Sequence, residues 1–330
     1  MPTSRRRQRA LGVTCLLAAG ASASVLAACG GSSATAPPTI RSSDGTLTTI
    51  TIGRGPAKLF STKTRVWGTA RYGNLVFAID PKDNRVKTRT RLPAGPTAIT
   101  VGLGSVWVAV PDRNAVARLD EVSGHRIGDL IRVGTQPTGL VVFRNRIWVA
   151  NAKSDDVVRI NPRTNLVERG RIRVGGFPTA LAKRGNRLYT VNAGDGSLTT
   201  LYLKGRRVVR SDLSVGGAPT SVAFDGDTVW LNDQRASAIK RVNLSSGTEI
   251  GEPILILSLP GDVALGRKIL WAANSAEAGT VTRLDRSKSR ILGHPIPVGR
   301  NPDGVLIAHG AVWVANTGDA TVTRIDPPNL

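Results

Sequence analysis

The side chains of this 330-residue chain that could do chemistry are mostly carboxylates set in short polar segments. Asp262 and Asp303 lie one or two residues after a proline, where other segments of the same kind carry threonine (Thr97, Thr138, Thr179, Thr220). A pair of acids like this could bind a divalent cation or divide acid and base roles between them. Two ligands, however, fall well short of the roughly six oxygens that a hard cation takes. Asp155, Asp156, Asp195, Asp233, Glu277 and Asp319 occupy comparable segments, in company with Arg71, Tyr72, Arg113 and Arg235. Gathered on one surface, these residues would form a polar ligand-binding face. Solvated loops are polar in any protein, so polarity alone assigns them no substrate. No HExxH, GxSxG, Walker or EF-hand spacing occurs, and the only cysteines, Cys15 and Cys29, stand near the start. A cysteine metal site or disulfide framework is thereby excluded downstream, and no cofactor is expected.

What positions these residues is a repeat. Pro56, Pro96, Pro137, Pro178, Pro219, Pro260 and Pro302 are spaced 40 to 42 residues apart, and 11 residues after each stands an aromatic: Trp67, Trp107, Trp148, Tyr189, Trp230, Trp271 and Trp313. Periods near 40 residues belong either to paired helices or to four-stranded propeller blades. Composition decides for strands. Segments such as Leu140 to Phe143, Arg146 to Ala150, Val157 to Ile160 and Gly170 to Val174 are rich in Val, Ile and Trp and are punctuated by Gly, Asn, Asp and Pro, leaving no uninterrupted window for a helix. Each unit therefore reads as strands A, B, C and D of one blade, with its large aromatic on strand B wedged between blades. Strand C carries a recurring arginine at Arg118, Arg159, Arg241, Arg283 and Arg324, whose stem can lie on apolar surface while its fork reaches the next blade.

The seventh unit ends before any fourth strand, and Thr46 to Gly53 precedes the first proline as an unattached strand. The expected fold is all-β, a seven-bladed β-propeller of four-stranded antiparallel blades in which the N-terminal strand completes the last blade and removes two open edges. The functional segments named above then fall in B–C and D–A loops, around one mouth of the central channel.

Composition and address narrow the partners. The chain is 41% hydrophobic, which is ample for a core, and carries 45 Lys and Arg against 23 Asp and Glu, a net charge of +22. Arg5, Arg6, Arg7 and Arg9 precede an uncharged run to Ala28 that has the form of an export signal. The run ends in Leu26-Ala27-Ala28-Cys29-Gly30, which resembles the lipobox of bacterial lipoproteins. That resemblance implies cleavage after residue 28, lipidation of Cys29 and anchoring at the outer face of the cytoplasmic membrane. Residues 1–28 are then the signal, 29–45 a flexible tether and 46–330 the propeller. Loss of the signal removes four basic residues and no acids, leaving +18.

The Gly-x-x-Pro repeats, the Trp-Val-Ala-Asn of Trp148 to Asn151 and Trp313 to Asn316, and the Val-x-Arg-Ile-Asp of Val322 to Asp326 resemble the YVTN repeats of YncE-like seven-bladed propellers. Such propellers serve as binding surfaces of varied purpose, and the fold alone names no function. Virginiamycin B lyases look related too, and that resemblance implies a His-containing, magnesium-dependent site. Here His125, His294 and His309 fall in C–D or A–B turns of different blades, away from the ligand side, so the carry-over fails at those positions. The expectation is a monomeric cell-envelope lipoprotein, a binding or scaffold module for a protein, peptide or glycan partner through its channel-mouth loops. The alternatives are a metal-dependent lyase or hydrolase using the channel-mouth acids, and a basic binder of anionic envelope polymers or lipid headgroups. Nucleic acid is not expected, because the aromatics that would stack on bases are committed to the blades.

Overall fold

Short runs of β-branched and aromatic residues between Gly, Asn and Asp turns form seven antiparallel sheets in the computed structural model, which describes residues 36–204, 207–256 and 258–327. Residues 1–35, where the export signal and lipidated Cys29 are expected, lie outside the described residues. Blade 1 is built of Pro56–Ser61, Val66–Ala70, Leu75–Asp80 and Arg85–Arg91. Blade 4, the other blade with a long outer strand, comprises Pro178–Arg184, Arg187–Asn192, Ser197–Lys204 and Arg207–Ser214. Innermost strands of successive blades pack against each other all the way round, including Pro302–Ala308 of blade 7 against Pro56–Ser61 of blade 1. The ring is therefore closed, as expected, and no α-helix occurs among the described residues.

Closure uses the N-terminal strand. Gly45–Thr51 pairs antiparallel with Thr321–Asp326 over six residues, from Thr46 opposite Asp326 to Thr51 opposite Thr321. Pairing begins earlier in the chain than expected, because Thr39–Ser42 folds back on Gly45–Thr51 as a fifth strand. A two-residue turn at Ser43-Asp44 joins the two strands, and Gly45 follows it at φ +124, where an added Cβ would stand 2.3 Å from the Asp326 carbonyl. The extra strand carries the chain back across the edge of the disc, and Thr49 donates to the Pro38 carbonyl at 3.0 Å. The N-terminal side of the described chain thus leaves at the face of the B–C and D–A loops.

The blade aromatics are core. Trp67, Trp107, Tyr189, Trp230, Trp271 and Trp313 are at most 1% exposed and Trp148 is 2% exposed. Each packs on the aliphatic side chains of a neighbouring blade, as Trp313 does on Ile52, Phe77 and Ile79. Opposite Trp107, Trp148, Trp230 and Trp313 stand Arg118, Arg159, Arg241 and Arg324, cross-strand partners whose guanidiniums cover the rings at 4.8 to 5.6 Å. Outer strands are shorter than the sequence implies. In blade 3 the fourth strand is split into Leu166–Val167 and Ile172–Arg173, with Gly170 at φ +91 between them. A strand paired on one side only, and interrupted by glycine, has little to hold it straight.

Candidate binding face at the channel mouth

The B–C and D–A loops are cut short by backbone turns that favour Asn, Asp and Gly. In blades 1 and 2 the B–C loop is a single 3-10 turn, Arg71–Gly73 and Pro111–Arg113, closed by Asn74 and Asn114 in the left-handed region (φ 51 and 49). The following D–A loop is then fastened to it. The Asn114 side-chain Oδ1 accepts from the Gln136 N–H at 2.9 Å, and Asp155 Oδ1, in the equivalent place of blade 3, accepts from the Phe177 N–H at 2.8 Å.

Most of the expected ligand-binding carboxylates are absorbed by bonds of this kind. Asp156 is buried and accepts from Asn151 at 2.7 Å and from Arg171 at 3.0 Å. Asp195 accepts from the Gly176 N–H at 2.7 Å and the Ser197 hydroxyl at 2.6 Å. Asp233, also buried, gathers the N–H groups of Ala218 and Arg235 at 3.0 Å each and the Lys240 ammonium at 3.0 Å. Burial by itself would raise the Asp233 pKa, but these donors outweigh it and hold the carboxyl below its ordinary value. Glu277 and Asp319 share Arg300, which reaches Glu277 at 2.9 Å and gives its own N–H to Asp319 at 2.6 Å.

Asp262 and Asp303 do meet, on the wall of the channel, but a third residue joins them. Lys58, on the innermost strand of blade 1, places its Nζ 2.9 Å from Asp262 of blade 6 and 3.3 Å from Asp303 of blade 7. The ammonium occupies the place between the carboxylates that a metal would take. The cation between this pair is thus one built into the chain. Blade 7 permits the reach because Gly304 has no side chain, and its Cα lies so close to blade 1 that a Cβ would stand 2.1 Å from the Ala57 carbonyl. Water enters the channel, leaving the Lys58 side chain 36% exposed and Asp262 25% exposed, yet the surrounding strands crowd both groups. Burial pulls Lys58 down, but the two carboxylates overcome it and hold the ammonium above the ordinary lysine value. Asp262 is pushed up by burial and by the charge of Asp303, against the pull of Lys58. One lysine cannot neutralise two acids.

Sequence comparison could have found Lys58. It stands two residues after its repeat proline, as Asp262 does, where the other blades have Ala98, Gly139, Ala180, Ser221 and Gly304. Attention to acids alone passed over the one basic departure from the pattern.

What the loops leave uncommitted is positive. Arg54, Arg71, Arg113, Lys153 and Arg235 are exposed, and none has a side-chain hydrogen bond or ion pair. Among the described residues, Asp112 is the one loop acid on this face in the same condition. Tyr72, 63% exposed, lies over Gly55, where a Cβ would meet its ring at 2.4 Å. The predicted set is therefore brought to one face but not to one pocket: acids lock the loops, and Arg71, Tyr72, Arg113 and Arg235 remain available to a ligand. His125 lies beside a C–D turn and His309 in an A–B turn, on the opposite face, whereas His294 lies in the break of blade 6's outer strand, between Arg290–Ile291 and Ile296–Pro297, and not in the C–D turn expected for it. Among the described residues, no three His, Cys, Asp or Glu side chains come together as a metal site.

No family model matches the chain, and no curated protein matches it in sequence. Solved structures share its architecture. Selenomethionine-substituted virginiamycin B lyase from Staphylococcus aureus superposes with a TM-score of 0.72 at 18% identity, over 84% of this chain and 98% of the other. A streptogramin B lyase structure gives 0.72 at 16% identity, over 85% and 97%. The structure described as U3-55K gives 0.71 at 10% identity, over 85% and 98%. Identities this low establish the propeller fold and leave activity open.

Proposed function

We propose that this chain is a cell-envelope binding module whose B–C and D–A loop face holds an anionic glycan polymer. The carrying observation is the division of charge on that face. Nearly all of its carboxylates are spent on loop N–H groups, Arg171, Lys240, Arg300 and Lys58, while Arg54, Arg71, Arg113, Lys153 and Arg235 face solvent without partners. Exposed cations on a closed, rigid disc attract and hold a polyanion at many weak points. The net charge, +22 for the whole chain and +18 without residues 1–28, extends that attraction beyond contact distance. The lipobox-like Leu26 to Cys29 supports an address in the envelope, where such polymers would be met.

A lyase reading draws support from the lyases among the fold neighbours, but Lys58 stands between the two channel acids that a metal-dependent form of it needs as ligands. The binding reading is the stronger for that reason. Alginate, a carboxylated glycan, and neutral dextran provide the test. Alginate binding is expected to weaken steeply between 50 mM and 300 mM salt, and the combined Arg71→Gln, Arg113→Gln, Arg235→Gln variant is expected to lose about tenfold in affinity. Equal binding of dextran, or unchanged alginate binding by the variant, would refute the proposal.

A further inference from the structure

The opposite face, made by A–B and C–D turns, has clefts between neighbouring blades at repeat-related places. One lies between blades 2 and 3 and includes Arg146 and Arg163. Another lies between blades 5 and 6 and includes Asp225, Arg267 and Arg286. A third, of about 720 Å³, lies between blades 7 and 1 and is lined by Lys63, Thr64, Arg65, Asp80, Lys82 and His309 among others. In each of the first two clefts the arginine nearest the blade wall is neutralised internally, while Arg163 and Arg267 at their rims have no ion-pair partner. Arg146 is bound by Glu168, and Arg286 by Asp225.

The third cleft lacks this provision. Arg65 occupies the repeat position of Arg146, two residues before the strand-B tryptophan. Val86 pairs with Ile79 as Val167 pairs with Ile160, so the residue that follows Val86 corresponds to Glu168. That residue is Lys87, itself tied to Asp83 at 2.6 Å. A carboxylate that would answer Arg65 is thus replaced by a cation committed elsewhere. The Arg65 Nη1 is shielded from solvent and has no hydrogen-bond partner. Lys63 and Lys82 are exposed, and neither ammonium has an ion-pair partner. The cleft holds one acid, Asp80, and its Oδ1 accepts the Lys82 N–H at 3.0 Å. A guanidinium screened from water and left without an anion, beside two free ammonium groups and a free hydroxyl at Thr64, has the donor set that grips a tetrahedral oxyanion.

We propose that the cleft between blades 7 and 1 binds a phosphate group, with Arg65, Lys63 and Lys82 supplying charge and Thr64 and His309 supplying hydrogen bonds. The site is independent of the glycan-binding face, which lies on the other side of the disc. The phosphate has two available sources, a soluble phosphate ester or anion and the headgroup of an anionic phospholipid.

Calorimetric titration of the purified protein with inorganic pyrophosphate tests the site. The combined Lys63→Gln, Lys82→Gln variant changes only exposed side chains, so it is expected to fold normally and to bind pyrophosphate at least tenfold more weakly. Arg163→Gln, in the cleft between blades 2 and 3, and Arg113→Gln, on the other face, are expected to stay within twofold of the parent protein. Absence of pyrophosphate binding by the parent protein, or an equal loss in Arg163→Gln, would overturn the proposal. Flotation with phosphatidylglycerol vesicles separates the sources. Flotation that is lost in the double variant and displaced by pyrophosphate assigns a lipid headgroup, whereas a variant effect confined to the soluble anion assigns free phosphate.

Discussion

Arg324, on the last blade, donates from Nη1 to the carbonyl of Pro81, on the first blade, at 2.6 Å. The same guanidinium covers Trp313 at 5.2 Å and bonds Asn84 at 2.9 Å and Asp326. Arg118 repeats the arrangement between blades 2 and 3, reaching Pro162 at 2.7 Å and Asn165 at 2.8 Å. At these two positions the recurring arginine of strand C is therefore a strut from one blade to the next, whereas Arg159 turns back to Glu168 of its own blade. At the joint where the ring closes it has most to do, because nothing covalent links blade 7 to blade 1 except the strand Gly45–Thr51.

Arg324→Ala is expected to lower stability by about 2–3 kcal/mol, the scale of losing charge-assisted hydrogen bonds and a ring contact together. Arg324→Lys should recover little of this, since a point charge cannot reproduce the fork. Urea unfolding of both variants measures the difference, and an alanine variant as stable as the parent would remove the strut role.

The legibility of this molecule in its sequence divides along physical lines. Blade positions were readable because each prolines-to-tryptophan unit repeats a packing problem with one solution, a large side chain in the wedge between sheets. The use of the loop acids was not. Asp195 and Asp233 look alike as ligands or as fasteners, and the N–H groups that decide the matter, those of Gly176 and Ala218, belong to the preceding D–A loop, 19 and 15 residues earlier. Lys58 was hidden for a similar reason: its partners are 204 and 245 residues away, and only closure of the ring brings them together. The strand Thr39–Ser42 was hidden because its turn falls at Ser43-Asp44, one residue before the Asp-Gly pair that favours hairpins, and because its glycine- and serine-rich surroundings resemble a linker.

Removal of Lys58 leaves two carboxylates side by side on the channel wall, on adjacent blades. Lys58→Met is expected to cost about 1–2 kcal/mol at pH 7, less than a fully buried pair would lose because water reaches the lysine. Folding raises the Asp262 pKa above its ordinary 3.8, so the folded variant gains a proton readily and the deficit should shrink as pH falls toward about 4. Asp262→Asn, which leaves one lysine with one acid, should be close to neutral at pH 7. Thermal unfolding at both pH values distinguishes this from simple loss of packing, which would give a deficit independent of pH.

Asp233 behaves in the opposite sense. Its folded pKa lies below the ordinary 3.8, so its stabilising contribution is present above that value and is lost as pH falls through the lower, folded one. Asp233→Asn is expected to cost about 2 kcal/mol at pH 7, with the gap to the parent protein closing below about pH 4. Urea midpoints at pH 7 and pH 3 provide the comparison, and a gap of equal size at both would show that the charge is not the source.

Gly304 sets the approach of blade 7 to blade 1. Gly304→Ala is expected to force the innermost strands apart and to lower stability by about 1–3 kcal/mol, the usual scale of overpacking. Because Lys58 neighbours the displaced carbonyl of Ala57, its reach to Asp262 should suffer too, so combining Gly304→Ala with Lys58→Met should cost less than the sum of the two. Full additivity in denaturant unfolding would separate the two features.

The hairpin at Ser43-Asp44 also decides how the ring meets mechanical load. A pull arriving along the chain from its N-terminal side acts first on Thr39–Ser42, which is held by four residue pairs, and only afterwards on the six pairs that close the ring. The outermost strand works as a fuse: it can be stripped from the edge while the blades stay joined, and the turn keeps it beside its partner, ready to pair again once the tension drops.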